Sequence, residues 1–139
     1  MPLEGIMLSF DVQSVALNAS AGEAFRFIAD PARLPHWAHA FKHAEHGRAV
    51  METPHGAAEI GLRVSASESA GTVDWEMTFS DGSVSTAYSR IVPNGPQSSI
   101  YIFVLKAPPV AQELVEGTLG QQRRILANEL AKLRELLSR

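Results

Sequence analysis

Residues 110–137 read VAQELVEGTLGQQRRILANELAKLRELL. Leu119, Leu126, Leu130, Leu133 and Leu137 recur there at the spacing of one helix face, while Gln122, Arg123, Arg124, Lys132 and Glu135 fall mostly off that stripe. Pro108 and Pro109 stand where the helix would begin, and proline is tolerated in a first turn because its missing N–H would have had no intrahelical partner. The pattern predicts one long amphipathic helix over 110–137 whose apolar face needs a large partner surface. A coiled coil would supply one but ranks second. The upstream chain offers strands with unpaired apolar faces, and Gly117 and Gly120 would each weaken a coiled-coil seam by about 1 kcal/mol relative to alanine. The stripe runs past both glycines in phase, so they read as room left for a bound molecule or for a closely approaching sheet, not as a helix end.

That partner surface is written upstream. Turn residues at Gly47, Pro54 with Gly56, Gly71, Asp81-Gly82 and Asn94-Gly95-Pro96 divide the middle of the chain into six strand-length runs, 42–46, 48–53, 58–67, 72–79, 83–92 and 98–106. Six consecutive strands imply an antiparallel meander. Residues 8–17 add a seventh, with apolar Phe10, Val12, Val15 and Leu17 and a phase change near Gln13 and Ser14 that suggests a bulge. Between this strand and the meander, Ser20 and Glu23 form a capping-box pair, Ala24, Phe25, Phe27 and Ile28 give a short helix a buried face, and Asp30 before Pro31 stops it. A second short helix or turn holds 32–38. The expected class is α+β: a curved seven-stranded antiparallel sheet, two short helices, and a long C-terminal helix enclosing a cavity.

The chain of 139 residues is the size of one domain, and its 45% hydrophobic and 19% charged content is that of an ordinary globular protein. A net charge of -3 gives no reason to expect nucleic-acid binding. With no cysteine, neither disulfides nor thiolate chemistry is available, and the N-terminus has no signal-peptide pattern, so a cytoplasmic location is expected. No apolar run approaches the roughly 20 residues of a membrane-spanning helix.

The element order, together with SAGEAFRFIADP at 20–31 and LPHW at 34–37, resembles the START-like superfamily, also called SRPBCC, with its helix-grip fold. Thr53-Pro54-His55-Gly56, Val73-Asp74, Val92-Pro93-Asn94-Gly95 and the 106–109 entry to the last helix look closest to its bacterial polyketide cyclase/dehydrase-like branch. The likeness covers essentially the whole chain. It implies a cavity between sheet and helix without naming one chemistry, since the superfamily includes lipid carriers, hormone receptors, aromatase/cyclases and ring-hydroxylase subunits.

A curved sheet gripping one helix leads to the same cavity on physical grounds. Candidates for its lining are Trp37, Phe41, Trp75, Met77, Phe79, Tyr88, Tyr101, Phe103 and Leu105, with Leu119, Gly117 and Gly120 on the helix side. Each has core packing as its plain alternative, because aromatic residues are buried for their area alone. Tyr88 and Tyr101 stand out, since a buried phenol needs a partner and can orient a ligand oxygen.

His36, His39, His43 and His46 would share one face of a continuous helix, as metal ligation requires. Pro35 and the strand-like 42–46 break that helix and send His43 and His46 to opposite faces, so neither a metal nor any other cofactor is expected. His36 and His39 beside Trp37 are acid/base candidates, with solvated surface residues as their alternative. For Arg63, Arg90, Asp74, Glu76 and Glu59, cross-strand pairing on the solvent face is weighed against an inward charge that would need a carboxylate or an anionic ligand.

Two functions fit these features. One is binding of a small apolar or aromatic molecule in the cavity. The other is an aromatase/cyclase-type enzyme catalysing aldol condensation and dehydration, with His36 or His39 and a tyrosine such as Tyr88 moving protons. An enzyme needs an acid/base pair converging on one cavity point, whereas a binding protein needs only enclosure. Neither nucleic acid nor membrane is expected as a partner, and oligomeric state is not legible.

Overall fold

A computed structural model describes residues 10–38, 41–53, 56–106 and 112–138, with side chains in the last helix from Gln122 onward. Strand β1 (Phe10–Leu17) leads to helix α1 (Ala21–Ile28), a 3-10 turn (Pro31–Arg33) and helix α2 (Leu34–Trp37). Strands β2 (Phe41–Glu45), β3 (Gly47–Thr53), β4 (Gly56–Ser67), β5 (Thr72–Thr78), β6 (Val84–Pro93) and β7 (Ser99–Lys106) follow, and then the long helix α3 (Gln112–Leu137). All pairings are antiparallel, in the order β1-β7-β6-β5-β4-β3-β2. The meander is as expected from its turn residues, and β1 joins beside β7. This is the α+β helix-grip arrangement.

Local chemistry sets the boundaries. Ser20 caps α1: its hydroxyl accepts from the Glu23 amide at 3.2 Å while the Glu23 carboxylate accepts from the Ser20 amide at 3.3 Å, satisfying two donors that the helix leaves without partners. Asp30 caps the following turn by accepting from the Ala32 amide at 3.0 Å. Gly71 takes a positive φ of 76° and lies so close to the Ile91 carbonyl that a β-carbon there would collide with it; in return Ile91 donates its amide to the Gly71 carbonyl at 2.8 Å.

Helix α3 passes unbroken through Gly117 and Gly120. From its described half, Leu126, Leu130 and Leu133 are buried in the core with Leu17, Ile28, Trp37 and Tyr101. Each such leucine contributes about 2 kcal/mol relative to an exposed one. Among the described residues no helix is long and apolar enough to cross a membrane.

β1 departs from expectation. Its pairing with β7 runs without a bulge from Phe10 opposite Lys106 to Leu17 opposite Ser99. The apparent phase change has another cause: Phe10 and Val12 point outward and are about half exposed, while Asp11 and Gln13 share the inward face with Val15 and Leu17. The polar pair is held there by α3. The Gln13 amide donates to Asp11 Oδ2 at 2.8 Å and to the backbone carbonyl of Arg123 at 2.9 Å, and Arg123 Nε lies 3.3 Å from Asp11 Oδ1. Because the Arg123 side chain is mostly exposed, the ion pair adds little; the hydrogen bonds of Gln13 are the firmer tie between strand and helix. Gln13→Leu is expected to lower unfolding free energy by about 1 kcal/mol, whereas Val12→Ser on the outer face should stay within about 0.5 kcal/mol of the parent. Urea denaturation of both variants checks this, and equal effects would contradict the tie.

Candidate functional site

Among the described residues, the concave face of the sheet is sealed at one end and only half-buried at the other, referred to below as its open end. At the sealed end α1 packs on β6 and β7, its Ala24 and Ile28 buried above Val73, Ile91, Ser99 and Leu17. Ser99 donates from its hydroxyl to the Ala19 carbonyl at 2.9 Å, which secures that end. Toward the other end the inward side chains remain apolar but are only half-buried: Met77 and Phe79 beyond β5's Trp75, Leu105 at the end of β7, and Phe41 and Met51 on β2 and β3.

Between the two ends lies an aromatic cluster. Trp37, carried in by the four-residue α2, meets Trp75 of β5 edge-to-face at 6.4 Å and Tyr101 of β7 at 6.3 Å, and Tyr101 meets Phe103 at 6.2 Å. Such contacts add about 0.5–1.5 kcal/mol each beyond area burial. The strand between these walls carries small inward residues: Ala87 stands opposite Trp75 and Ser89 opposite Phe103, with Ser85 nearer the open end. The inner face of β6 therefore carries small, buried residues between aromatic neighbours.

The cluster is not only apolar. Trp37 Nε1, Trp75 Nε1 and the Tyr101 hydroxyl are all closed to solvent and without a hydrogen-bond partner among the described residues. Ser89 directs its own hydroxyl to the Val73 carbonyl. Burial pushes the Tyr101 phenol well above its ordinary value of 10.0, and the neighbouring Ser89 and Trp75 oppose only part of that rise, without hydrogen-bond geometry. Among the described residues, the other buried polar side chains are Ser89 and Ser99, so the titratable group of this interior is Tyr101.

The residues singled out in the sequence separate accordingly. Trp37, Trp75, Tyr101 and Phe103 come together in the buried cluster, and Phe41, Met77, Phe79 and Leu105 lie at its open end. Gly117 and Gly120 are in α3, but these two and Leu119 fall outside the described side chains. Tyr88 is corrected: it is 44% exposed on the outer face, with the Lys106 ammonium 5.8 Å from its ring centre. It shares that face with Arg90, while the charge-free alternates Ala87, Ser89 and Ile91 turn inward. The signal was the parity of Tyr88 with Arg90, and aromatic character outweighed it.

His36 is exposed on α2, and His43 is turned outward to Glu45 at 2.8 Å; His39 and His55 lie outside the described residues. Among the described residues no three histidine, aspartate or glutamate side chains gather to hold a metal ion. The strand charges face outward, with Arg48 and Glu59 paired at 2.6 Å and Arg63 opposite Glu76. The inward carboxylate is instead Asp11, at the open end beside Gln13. Sequence reasoning missed both. Their parity with Val15 and Leu17 was the available sign.

No family model matches the chain, and no curated protein matches it in sequence. Solved structures do match. A START superfamily protein from Mycobacterium smegmatis superposes with a TM-score of 0.68 at 20% identity, over 93% of this chain and 99% of its own. The Zhui aromatase/cyclase from Streptomyces sp. R1128 gives 0.71 at 9% identity, over 94% and 93%. The di-domain aromatase/cyclase BexL of the BE-7585A biosynthetic pathway gives 0.69 at 14% identity, over 91% of this chain and 45% of its own. The chain thus has the fold shared by START superfamily proteins and polyketide aromatase/cyclases.

A buried hydroxyl without a partner costs about 1–3 kcal/mol, so Tyr101→Phe is expected to raise the stability of the protein alone by about 1 kcal/mol. A pH effect accompanies it. Above the ordinary phenol value of 10.0 the unfolded chain loses the Tyr101 proton while the folded form keeps it. The unfolded state then binds fewer protons, and this group lowers stability by about 1.4 kcal/mol per pH unit. Urea midpoints measured between pH 9 and 11 should fall more steeply for the parent than for Tyr101→Phe. Parallel slopes would contradict the buried phenol.

Proposed function

We propose that the chain binds a small, mostly apolar or aromatic molecule on the concave face between the sheet and α3. The observation that carries this reading is the open end of that face, where Phe41, Met51, Met77, Phe79 and Leu105 remain half-buried side by side. Concave apolar surface of this kind gains about 25 cal/mol for each Å² a ligand covers. Trp37, Trp75, Tyr101 and Phe103 would form the inner end of the site, and Gly117 and Leu119 of α3 are proposed as its helix side. A cytoplasmic location belongs to the same proposal, since a chain without cysteine suits a reducing compartment.

The second reading, an aromatase/cyclase, has in its favour the printed names of two structural neighbours. Aldol chemistry needs a proton acceptor and a proton donor at one point, each tuned near the working pH. Among the described residues the interior offers Tyr101, whose phenol burial holds far from neutrality, and the inward Asp11 is engaged by Gln13 and Arg123, while His36 is exposed and Tyr88 faces outward. Binding is the better supported of the two.

Titration with uncharged N-phenyl-1-naphthylamine, exciting tryptophan, is expected to show energy transfer from Trp37 and Trp75 to the bound probe. Met77→Arg, which places a charge at the open end, should weaken the probe at least about tenfold with little change in melting temperature, because the parent side chain is only half-buried. A probe that binds without quenching tryptophan, or is indifferent to Met77→Arg, would move the site elsewhere.

A further inference from the structure

We propose that the ligand's buried end is an uncharged hydrogen-bond acceptor, a ketone- or quinone-type carbonyl, received by the Tyr101 hydroxyl and the indole N–H groups of Trp75 and Trp37. This rests on the concave face being a binding site and adds the chemistry of its inner end. Three kinds of observation support it.

The first is the inventory of donors. An indole nitrogen can only donate and a phenol donates readily, so the cluster presents three donors, all unpartnered among the described residues and closed to bulk water. The one hydroxyl beside them, Ser89, has its proton committed to the Val73 carbonyl. The Tyr101 and Ser89 oxygens could accept but are not placed to do so, and the three donors are left without a partner among the described residues.

The second is a route. The small inward residues of β6, from half-buried Ser85 past buried Ala87 to Ser89, run from the half-buried end of the concave face toward Tyr101 and Trp75. The proposed carbonyl-bearing group would enter over these small side chains, which stand opposite Trp75 and Phe103.

The third is charge. Among the described residues no cationic side chain is buried. A carboxylate end would give up its hydration for neutral donors alone, whereas a carbonyl needs only those donors.

The test compares 2-acetylnaphthalene, its hydrocarbon counterpart 2-ethylnaphthalene, and 2-naphthoate on the full chain. The ketone is the less hydrophobic of the two neutral probes, so burial alone would favour the hydrocarbon. The expected result is that the ketone binds at least about tenfold more tightly than both others, a margin corresponding to one well-made hydrogen bond. Tyr101→Phe should remove that margin while leaving 2-ethylnaphthalene unchanged. The infrared carbonyl stretch of bound 2-acetylnaphthalene should lie at lower frequency in the parent than in the variant. Trp75→Phe makes the same comparison independently should Tyr101→Phe alter the fold. Hydrocarbon binding as tight as ketone binding overturns the acceptor inference and leaves the apolar site standing. Tightest binding of 2-naphthoate overturns the uncharged ligand, and failure of all three probes to bind overturns the site as well.

Discussion

The contact on which the architecture depends is the seating of Leu126, Leu130 and Leu133 against the concave side of the sheet. A single sheet with one apolar face cannot remain folded in water unless that face is covered, and here three leucines, α1 and one tryptophan cover it at one end. The inward hydrogen bonds of Gln13 reach α3 at Arg123, just before the leucines begin. The described grip is therefore concentrated on one stretch of helix and one end of the sheet. Covering the sheet and leaving its far end half open follow from the same placement.

The middle of the face adds a second constraint, one of volume. Trp75 and Phe103 occupy β5 and β7, so the strand between them can carry only small inward residues, and Ala87 and Ser89 meet that need. Val84 and Tyr88 of the same strand face outward, and the larger Ile91 turns inward only at the sealed end. An interior built this way has wide walls, a shallow floor and polar edges to its rings. Those edges are what separates it from a plain hydrophobic core, since a core chosen for stability alone would favour phenylalanine where Trp37, Trp75 and Tyr101 stand with donors unmet among the described residues.

Most of the fold was legible because its signals are local. Glycine-bearing turns delimit the meander, Ser20 and Glu23 announce α1, and the leucine period marks α3. What was not legible depends on distant partners. Nothing near Asp11 and Gln13 says that they face inward; their justification lies 110 residues away, at Arg123. Tyr88 was misassigned for a related reason: its direction follows from its alternation with the inward Ala87, Ser89 and Ile91, which residue type alone does not show. The aromatic members of the candidate site were recognisable from residue type and strand position. Their unmet donors were not, because satisfaction of a polar atom belongs to three-dimensional packing.

The strand order also has a consequence for how the molecule comes into being. Each strand from β3 to β7 pairs with the one made just before it, so the meander can zip up as it leaves the ribosome. β1 cannot take part. Its partner is β7, and all of residues 18–98 must be synthesised before Ser99 exists to meet Leu17. The first strand to emerge is the last to be joined, and until then it displays Phe10, Val12, Val15 and Leu17 with an unpaired backbone to anything nearby. Docking of α3 comes later still, so the concave face and the strand that completes it take shape together.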